Sequence, residues 1–159
     1  MSMRAGIGYD SHRLAEGRKL ILGGVEVEGA GRGLDGHSDA DALTHAVIDA
    51  LLGAAGLGDI GLHFPDNDER WRDADSIALL REVVRLVGNA GWTVGNVDAT
   101  VICEAPKLGA YRESMRETLA TALGIAPEAV NVKFTTNERM GPIGRGEGIA
   151  ALATATLEH

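Results

Sequence analysis

At 159 residues, 45% of them apolar, the chain is long enough to bury a real core and too apolar to be disordered. A formal net charge of −8 opposes binding to phosphate backbones, and 4% aromatics leave few platforms for stacking bases, so no nucleic-acid partner is expected. A lone cysteine, Cys103, excludes an internal disulfide and a cysteine-rich structural zinc site, and no apolar run is long enough for a membrane helix. Residues 1–159 are expected to form one domain.

Arg4 to His12 reads as a first strand. The residues around it carry neither a signal-peptide core nor transit-peptide composition, so a cytoplasmic location without membrane contact is the expectation. Asp10 and His12 are two positions apart and project from the same strand face. Lys19–Leu22 and Val25–Glu28 flank Gly23-Gly24 as a hairpin. Gly29 to Gly36 reads as a loop. Ser38 and Asp41, three residues on, form a capping-box pattern at the mouth of a helix. Leu43, Val47, Ala50 and Leu51 fall on one side of that helix, with His45 opposite and Asp41 and Asp49 a turn before and after it. The spacing predicts one buried flank and one polar flank, with Asp41 or Asp49 orienting His45.

Gly56 to Trp71 reads as a long irregular segment, a class that is usually functional or mobile. Asp75 to Ala90 is predicted helical from Ile77, Leu80, Val84 and Val87, with Gly91 as its stop. Val94 to Cys103 alternates poorly but is β-rich, so it reads as a buried strand, broken by Ala105-Pro106-Lys107. A third helix follows over Tyr111–Leu123, then a strand over Val130–Thr136. Asn137 to Gly148 reads as a glycine-punctuated loop, and Ile149–Leu157 as a last strand completing the sheet. This order predicts an α+β fold: a mixed β-sheet with helices packed on one face.

Two imidazoles and a carboxylate, from Asp10, His12 and His45, suit Zn²⁺, Fe²⁺ or Mn²⁺, and three protein ligands leave a zinc ion one open position. The same residue types serve surface roles. Capping explains Ser38, and His37 reads equally as a loop residue. Asp66 and Asp68 suit a turn as well as a ligand. Arg145 lies in a glycine-rich loop where its fork can clamp a phosphate or remain solvated beside Glu147. Read alone, these groups permit a metal-dependent hydrolase acting on a phosphoester, or a non-catalytic nucleotide-binding module.

Their order along the chain is more specific. GYDSH, HSDAD with His45, LGDIG followed by FPD, APK, TTNE and GRGEGIA occur in turn between Arg4 and Leu157. That series resembles the 2-C-methyl-D-erythritol 2,4-cyclodiphosphate synthase family of the non-mevalonate isoprenoid pathway. The resemblance implies a homotrimer with active sites between neighbouring subunits. It also implies closure of 4-diphosphocytidyl-2-C-methyl-D-erythritol 2-phosphate to the cyclic diphosphate, with release of CMP. By motif, Asp10, His12 and His45 match the ligands of Zn²⁺ (or Mn²⁺), and Glu138 matches the ligand of Mg²⁺ or Mn²⁺ on the diphosphate. His37 and Thr136 match transition-state stabilisers, and Ser38 a phosphate contact. Asp59, Ile60, Gly61, Phe64, Pro65, Asp66, Asn67 and Asp68 match the methylerythritol and ribose side. Cys103, Glu104, Ala105, Pro106, Lys107, Leu108 and Gly109, with Thr135, match the cytidine pocket. Arg145 matches a basic residue on the phosphate side at the trimer's centre. Pro142 stands where that family usually carries an aromatic residue lining the central cavity, and Asn137 where it often carries Thr.

Overall fold

In the computed structural model, which describes residues 1–159, the first strand runs past its predicted end. Strand β1 spans Met3–Glu16 and pairs antiparallel with the last strand, β7 (Gly148–Glu158), from Met3↔Glu158 to Arg13↔Gly148. Beyond His12 it also pairs with β4 (Arg32–Leu34), in the register Leu14↔Leu34. The segment predicted as a loop over 29–36 thus contains an edge strand. Three residues are too few for a readable alternation, and Gly29, Gly31 and Gly33 mimic turn chemistry. The hairpin forms as predicted, with β2 (Ile21–Leu22) and β3 (Val25–Glu26) as a separate two-stranded sheet.

With β5 over Thr93–Ile102 and β6 over Val130–Thr135, the main sheet has the order β4-β1-β7-β5-β6. It is mixed, because β5 runs antiparallel to β7 but parallel to β6. In β5, Val97, Ala99 and Val101 are buried in strict alternation. A register shift between Val94 and Val97 reverses the phase, which is why the sequence looked non-alternating.

Helix α1 (Ala42–Ala55) lies across β1, β7 and β5. Its approach is set by two glycines on the β1 face that also carries Asp10 and His12. A Cβ on Gly6 would sit 2.0 Å from the Ala50 carbonyl oxygen, and one on Gly8 1.8 Å from that of Ala46. Only bare backbone lets helix and strand meet this closely, and the contact carries His45 onto Asp10.

The predicted polar flank of α1 is not there. Only Asp49 and Gly53 escape burial, because α3 (Ser76–Asn89) covers the side away from the sheet. Nor does Ser38 cap this helix. Asp41 is the N-cap, accepting from Thr44 N at 2.9 Å, while Ser38 Oγ accepts from Ala40 N. Fully buried, Asp41 also accepts from Gly23 N at 2.9 Å and Gly24 N at 2.7 Å, which docks the hairpin onto the helix start.

The third long helix, α4 (Arg112–Leu123), joins the parallel pair β5 and β6 and packs on α3. The irregular stretch after α1 holds one helical turn, α2 (Ile60–His63), and a 3₁₀ turn at Glu69–Trp71. Another helical turn, α5 (Gly141–Gly144), interrupts the loop before β7. All three long helices share one face of the sheet, as predicted. The other face leaves Ile7, Tyr9 and Leu152 exposed at 70%, 56% and 40%, with Tyr9 opposite Leu152 across the β1–β7 pair.

Candidate functional site

Asp10, His12 and His45 converge where the second half of β1 meets the first turn of α1. Asp10 Oδ2 lies 2.7 Å from His12 Nε2 and 3.1 Å from His45 Nδ1, and the two nitrogens are 3.4 Å apart. A tetrahedral ion bound at ~2.0–2.1 Å holds its donors about 3.3 Å apart, so these spacings fit one. His12 Nδ1 is 3.1 Å from the Asp35 carbonyl. A carbonyl only accepts, so Nδ1 carries the ring proton and Nε2 turns a lone pair to the cluster. These residues can hold a metal ion.

The electrostatics agree with the geometry. Burial pushes the Asp10 carboxyl up, but hydrogen bonds and charge from His12 and His45 outweigh it and hold Asp10 below its ordinary value. Burial pushes His45 down, but its bond to Asp10 and the charges of Asp10, Asp41 and Asp39 lift it above 6.5. The negative field that retains a proton on His45 also attracts a divalent cation.

The predicted orienting carboxylates of His45 lie elsewhere. Asp41 is committed to Gly23, Gly24 and Thr44, and Asp49 Oδ1 accepts from Ile60 N at 2.8 Å. The far side of His45 is met by hydroxyls instead: its Nε2 is 2.7 Å from Ser76 Oγ and 3.2 Å from Ser38 Oγ.

The cluster forms the floor of a cavity of about 340 Å³ whose walls include His37, Ser38, Ile60, Gly61, Phe64 and Asp66. These sequence-predicted residues are therefore brought together. His37 Nε2 donates to the Asp68 carbonyl at 3.0 Å, and Arg70 engages the Asp68 side chain. Asp59 caps α2 through Leu62 N, while Pro65 and Asn67 belong to the following turn.

The remaining predicted residues do not reach this cavity. Glu104, Thr136, Glu138 and Arg145 line a second, open hollow of about 740 Å³. Within it, Asn137 N donates to Glu104 Oε2 at 2.6 Å and Glu138 N to Thr136 Oγ1 at 3.2 Å. Arg145 is not a free fork, because its Nε donates to Glu147 Oε2 at 2.6 Å. Residues Cys103 to Gly109 form the turn beside that hollow, tied to β6 by Cys103 N donating to Thr135 O at 2.9 Å. Cys103 itself is buried. Burial pushes its thiol up to about 11, so it is no nucleophile. Leu108 is buried and Lys107 exposed. Pro142 lies in a third hollow that touches the outer side of His12.

A model of the YgbB family matches residues 3–158. The chain belongs to the YgbB family, that of the 2-C-methyl-D-erythritol 2,4-cyclodiphosphate synthases. The synthase of Rubrobacter xylanophilus is 62% identical over 159 residues, covering 98% of this chain and 95% of that protein. Among solved structures, the bifunctional IspDF of Campylobacter jejuni superposes with a TM-score of 0.95 at 40% identity. That alignment covers 99% of this chain and 42% of that longer one. A 2C-methyl-D-erythritol-2,4-cyclodiphosphate synthase in its CDP-bound form has a TM-score of 0.89 at 39% identity, covering 98% of this chain and 100% of its own.

Several residues of this YgbB-family site were not singled out from sequence. Trp71 packs edge-on against Phe64, with centroids 5.0 Å apart, and lines the cavity with Leu79. Arg18 donates from its guanidinium to the carbonyls of Leu34 at 2.9 Å, Gly36 at 3.4 Å and Ser38 at 3.0 Å. It thereby pins the loop that presents His37 and Ser38. Asp39 and Ser76 sit behind His45. Asp75-Ser76 before an apolar run reads as capping, so its sequence carries no signal of a second role.

Proposed function

We propose that the protein, acting as one domain over residues 1–159, converts 4-diphosphocytidyl-2-C-methyl-D-erythritol 2-phosphate into 2-C-methyl-D-erythritol 2,4-cyclodiphosphate and CMP. The carrying observation is a metal-ligand set, Asp10, His12 and His45, that lines a cavity, in a chain aligned over nearly its whole length with synthases named for that product. The CDP in a structural neighbour supports a cytidine nucleotide as one part of the ligand.

In this reaction an oxygen of the 2-phosphate forms a bond to the β-phosphorus. The bond from that phosphorus to the oxygen bridging to the α-phosphorus breaks, and CMP leaves with the electron pair. A phosphomonoester has a second pKa near ~6, so the nucleophile is already ionised at neutral pH and needs no protein base. The obstacle is the approach of one anion to another. Asp10, His12 and His45 would hold a divalent ion, zinc or manganese, and bound there it would supply Lewis-acid stabilisation of charge on the phosphoryl oxygens. His37 is held at the cavity wall by its Nε2–H bond to the Asp68 carbonyl, which sets its ring beside that charge, and Ser38 offers its hydroxyl to a phosphate. Asp66 and Asp59, with the Ile60-Gly61 backbone, hold the methylerythritol and ribose hydroxyls. Holding both ends of a flexible chain converts ring closure into a favoured orientation.

In this reading Thr136 and Glu138 complete the site from a second subunit of a homotrimer, where Glu138 would hold Mg²⁺ or Mn²⁺ to neutralise charge on the diphosphate. Two features support this reading. Thr136 and Glu138 line a hollow separate from the metal cavity, with the turn matched to the cytidine side beside it, and the sheet face bearing Ile7, Tyr9 and Leu152 is uncovered in the single chain. A cytoplasmic location accompanies this reading, and no helix is long and apolar enough to cross a membrane.

Incubation of the protein with the diphosphocytidyl substrate, Zn²⁺ and Mg²⁺ tests the reaction by phosphorus NMR. The cyclic diphosphate and CMP are expected. An open-chain phosphate product assigns a hydrolase instead, and absence of CMP overturns the proposal.

A further inference from the structure

The side of His45 facing away from Asp10 decides which of its nitrogens points into the cavity. Ser76, the first residue of α3, is fully buried. Its backbone N–H donates to Asp39 Oδ2 at 3.0 Å, and its hydroxyl donates to Asp39 Oδ1. Asp39 Oδ1 also accepts from Asp41 N at 3.2 Å, so both carboxylate oxygens serve as acceptors.

A serine hydroxyl has one proton. With that proton on Asp39, Ser76 Oγ has only lone pairs left for His45 Nε2, 2.7 Å away. The contact is a hydrogen bond only if Nε2 carries hydrogen. Ser38 Oγ, 3.2 Å from the same nitrogen, already accepts from Ala40 N and adds a second acceptor on that side. His45 Nδ1 faces the Asp10 carboxylate at 3.1 Å and His12 Nε2 at 3.4 Å, so with the Nε2 proton held by the hydroxyls, Nδ1 is the nitrogen that gives up its proton to a cation.

We propose that Asp39 and Ser76 are positioning residues of the metal centre, a relay Asp39–Ser76–His45 that fixes the Nε2–H tautomer of His45 and presents Nδ1 as the metal donor. This rests on the metal-site reading of Asp10, His12 and His45. The relay also ties the ion to the substrate wall. The segment that leads into Ser76 accepts Asp39 N on the Ala74 carbonyl at 3.1 Å and donates Asp73 N to the His37 carbonyl at 2.8 Å. His37 and the orienting hydroxyl of His45 are therefore held by one short stretch of chain.

The test compares the parent protein with Ser76→Ala, Ser76→Thr and Asp39→Asn, each stripped of metal and titrated with Zn²⁺ against a chromophoric chelator. Removal of an outer hydrogen-bond partner lowers metal affinity by about 10–100-fold, and that loss is expected for Ser76→Ala and Asp39→Asn. Ser76→Thr keeps the hydroxyl and is expected to stay near the parent. Asp39→Asn changes charge and donor pattern at constant shape, so it reports even if Ser76→Ala folds poorly. A purely structural role leaves the tautomer alone, so ¹⁵N NMR of labelled histidine is the second readout. At a pH where His45 is neutral, the metal-free parent is expected to show Nε2–H at His45, and Asp39→Asn a shift towards Nδ1–H. Zinc affinity within about twofold of the parent in both variants, or a neutral His45 with its one proton on Nδ1 in the metal-free parent, overturns the relay. A parent that binds no Zn²⁺ overturns the metal reading instead, and the tautomer signal still decides the relay by itself.

Discussion

Replacing Asp10 or His12 by alanine removes one of three donors and leaves the others facing each other without compensation. Each variant is expected to lose bound metal and activity by more than the about 10–100-fold typical of an outer partner. Elemental analysis of the purified protein checks it, and full metal retention would count against the site. The pH dependence follows from His45. A protonated imidazole cannot ligate, and His45 holds its proton above the ordinary value of 6.5. Affinity therefore falls as pH drops through that raised value, and the loss begins at higher pH than for a free imidazole. Metal competition between about pH 6 and pH 9 should show it. Arg18 acts one step further out. Arg18→Ala releases three loop carbonyls around His37 and Ser38, so kcat is expected to fall by about 10-fold or more while metal content holds. Steady-state kinetics beside metal analysis separates the two.

Between elements, the decisive contact is the meeting of β1 and α1. A methyl group at Gly8 would lie 1.8 Å from a helix carbonyl that cannot rotate away. Gly8→Ala is expected to destabilise by about 3 kcal/mol or more, since α1 must lift off the sheet. Gly88, inside α3, has open space around it, and Gly88→Ala is expected to stabilise by about 0.5–1 kcal/mol. Urea unfolding of the two variants side by side checks that position, rather than glycine content, sets the cost. At the helix start, Asp41→Ala removes the cap and strands the buried N–H groups of Gly23 and Gly24. A loss of about 2–4 kcal/mol is expected, with hairpin amides exchanging faster than those of the sheet.

At the scale of the whole molecule, the proposed trimer explains why one chain carries two partial hollows. Tyr9→Glu places a charge on the bare sheet face beside Leu152. It is expected to shift the protein to monomers by light scattering and to abolish turnover, while the metal cluster on the opposite face still binds. Sharing of sites between subunits makes a sharper prediction. His45→Ala and Thr136→Ala variants, each inactive alone, are expected to recover roughly a quarter of parental activity when co-assembled at random. Recovery requires that the metal half and the cytidine half of one site come from different chains.

The α+β class, the three long helices and the final strand were legible because their apolar periodicity extends over many residues. Asp10 and His12 were legible as a pair because a strand puts alternate residues on one face. Their convergence with His45 depends on Gly6 and Gly8, whose missing side chains register no periodicity and matter only once a helix lies on them. The polar flank expected of α1 failed because helical spacing reports which side is apolar, not how many sides are covered. The edge strand at Arg32–Leu34 and the bulge in β5 were invisible because pairing partners, rather than local propensity, create them. Asp39, Ser76 and Arg18 read as caps or solvated charge along the chain. They become parts of the site only where distant backbone and a buried imidazole come within hydrogen-bond reach.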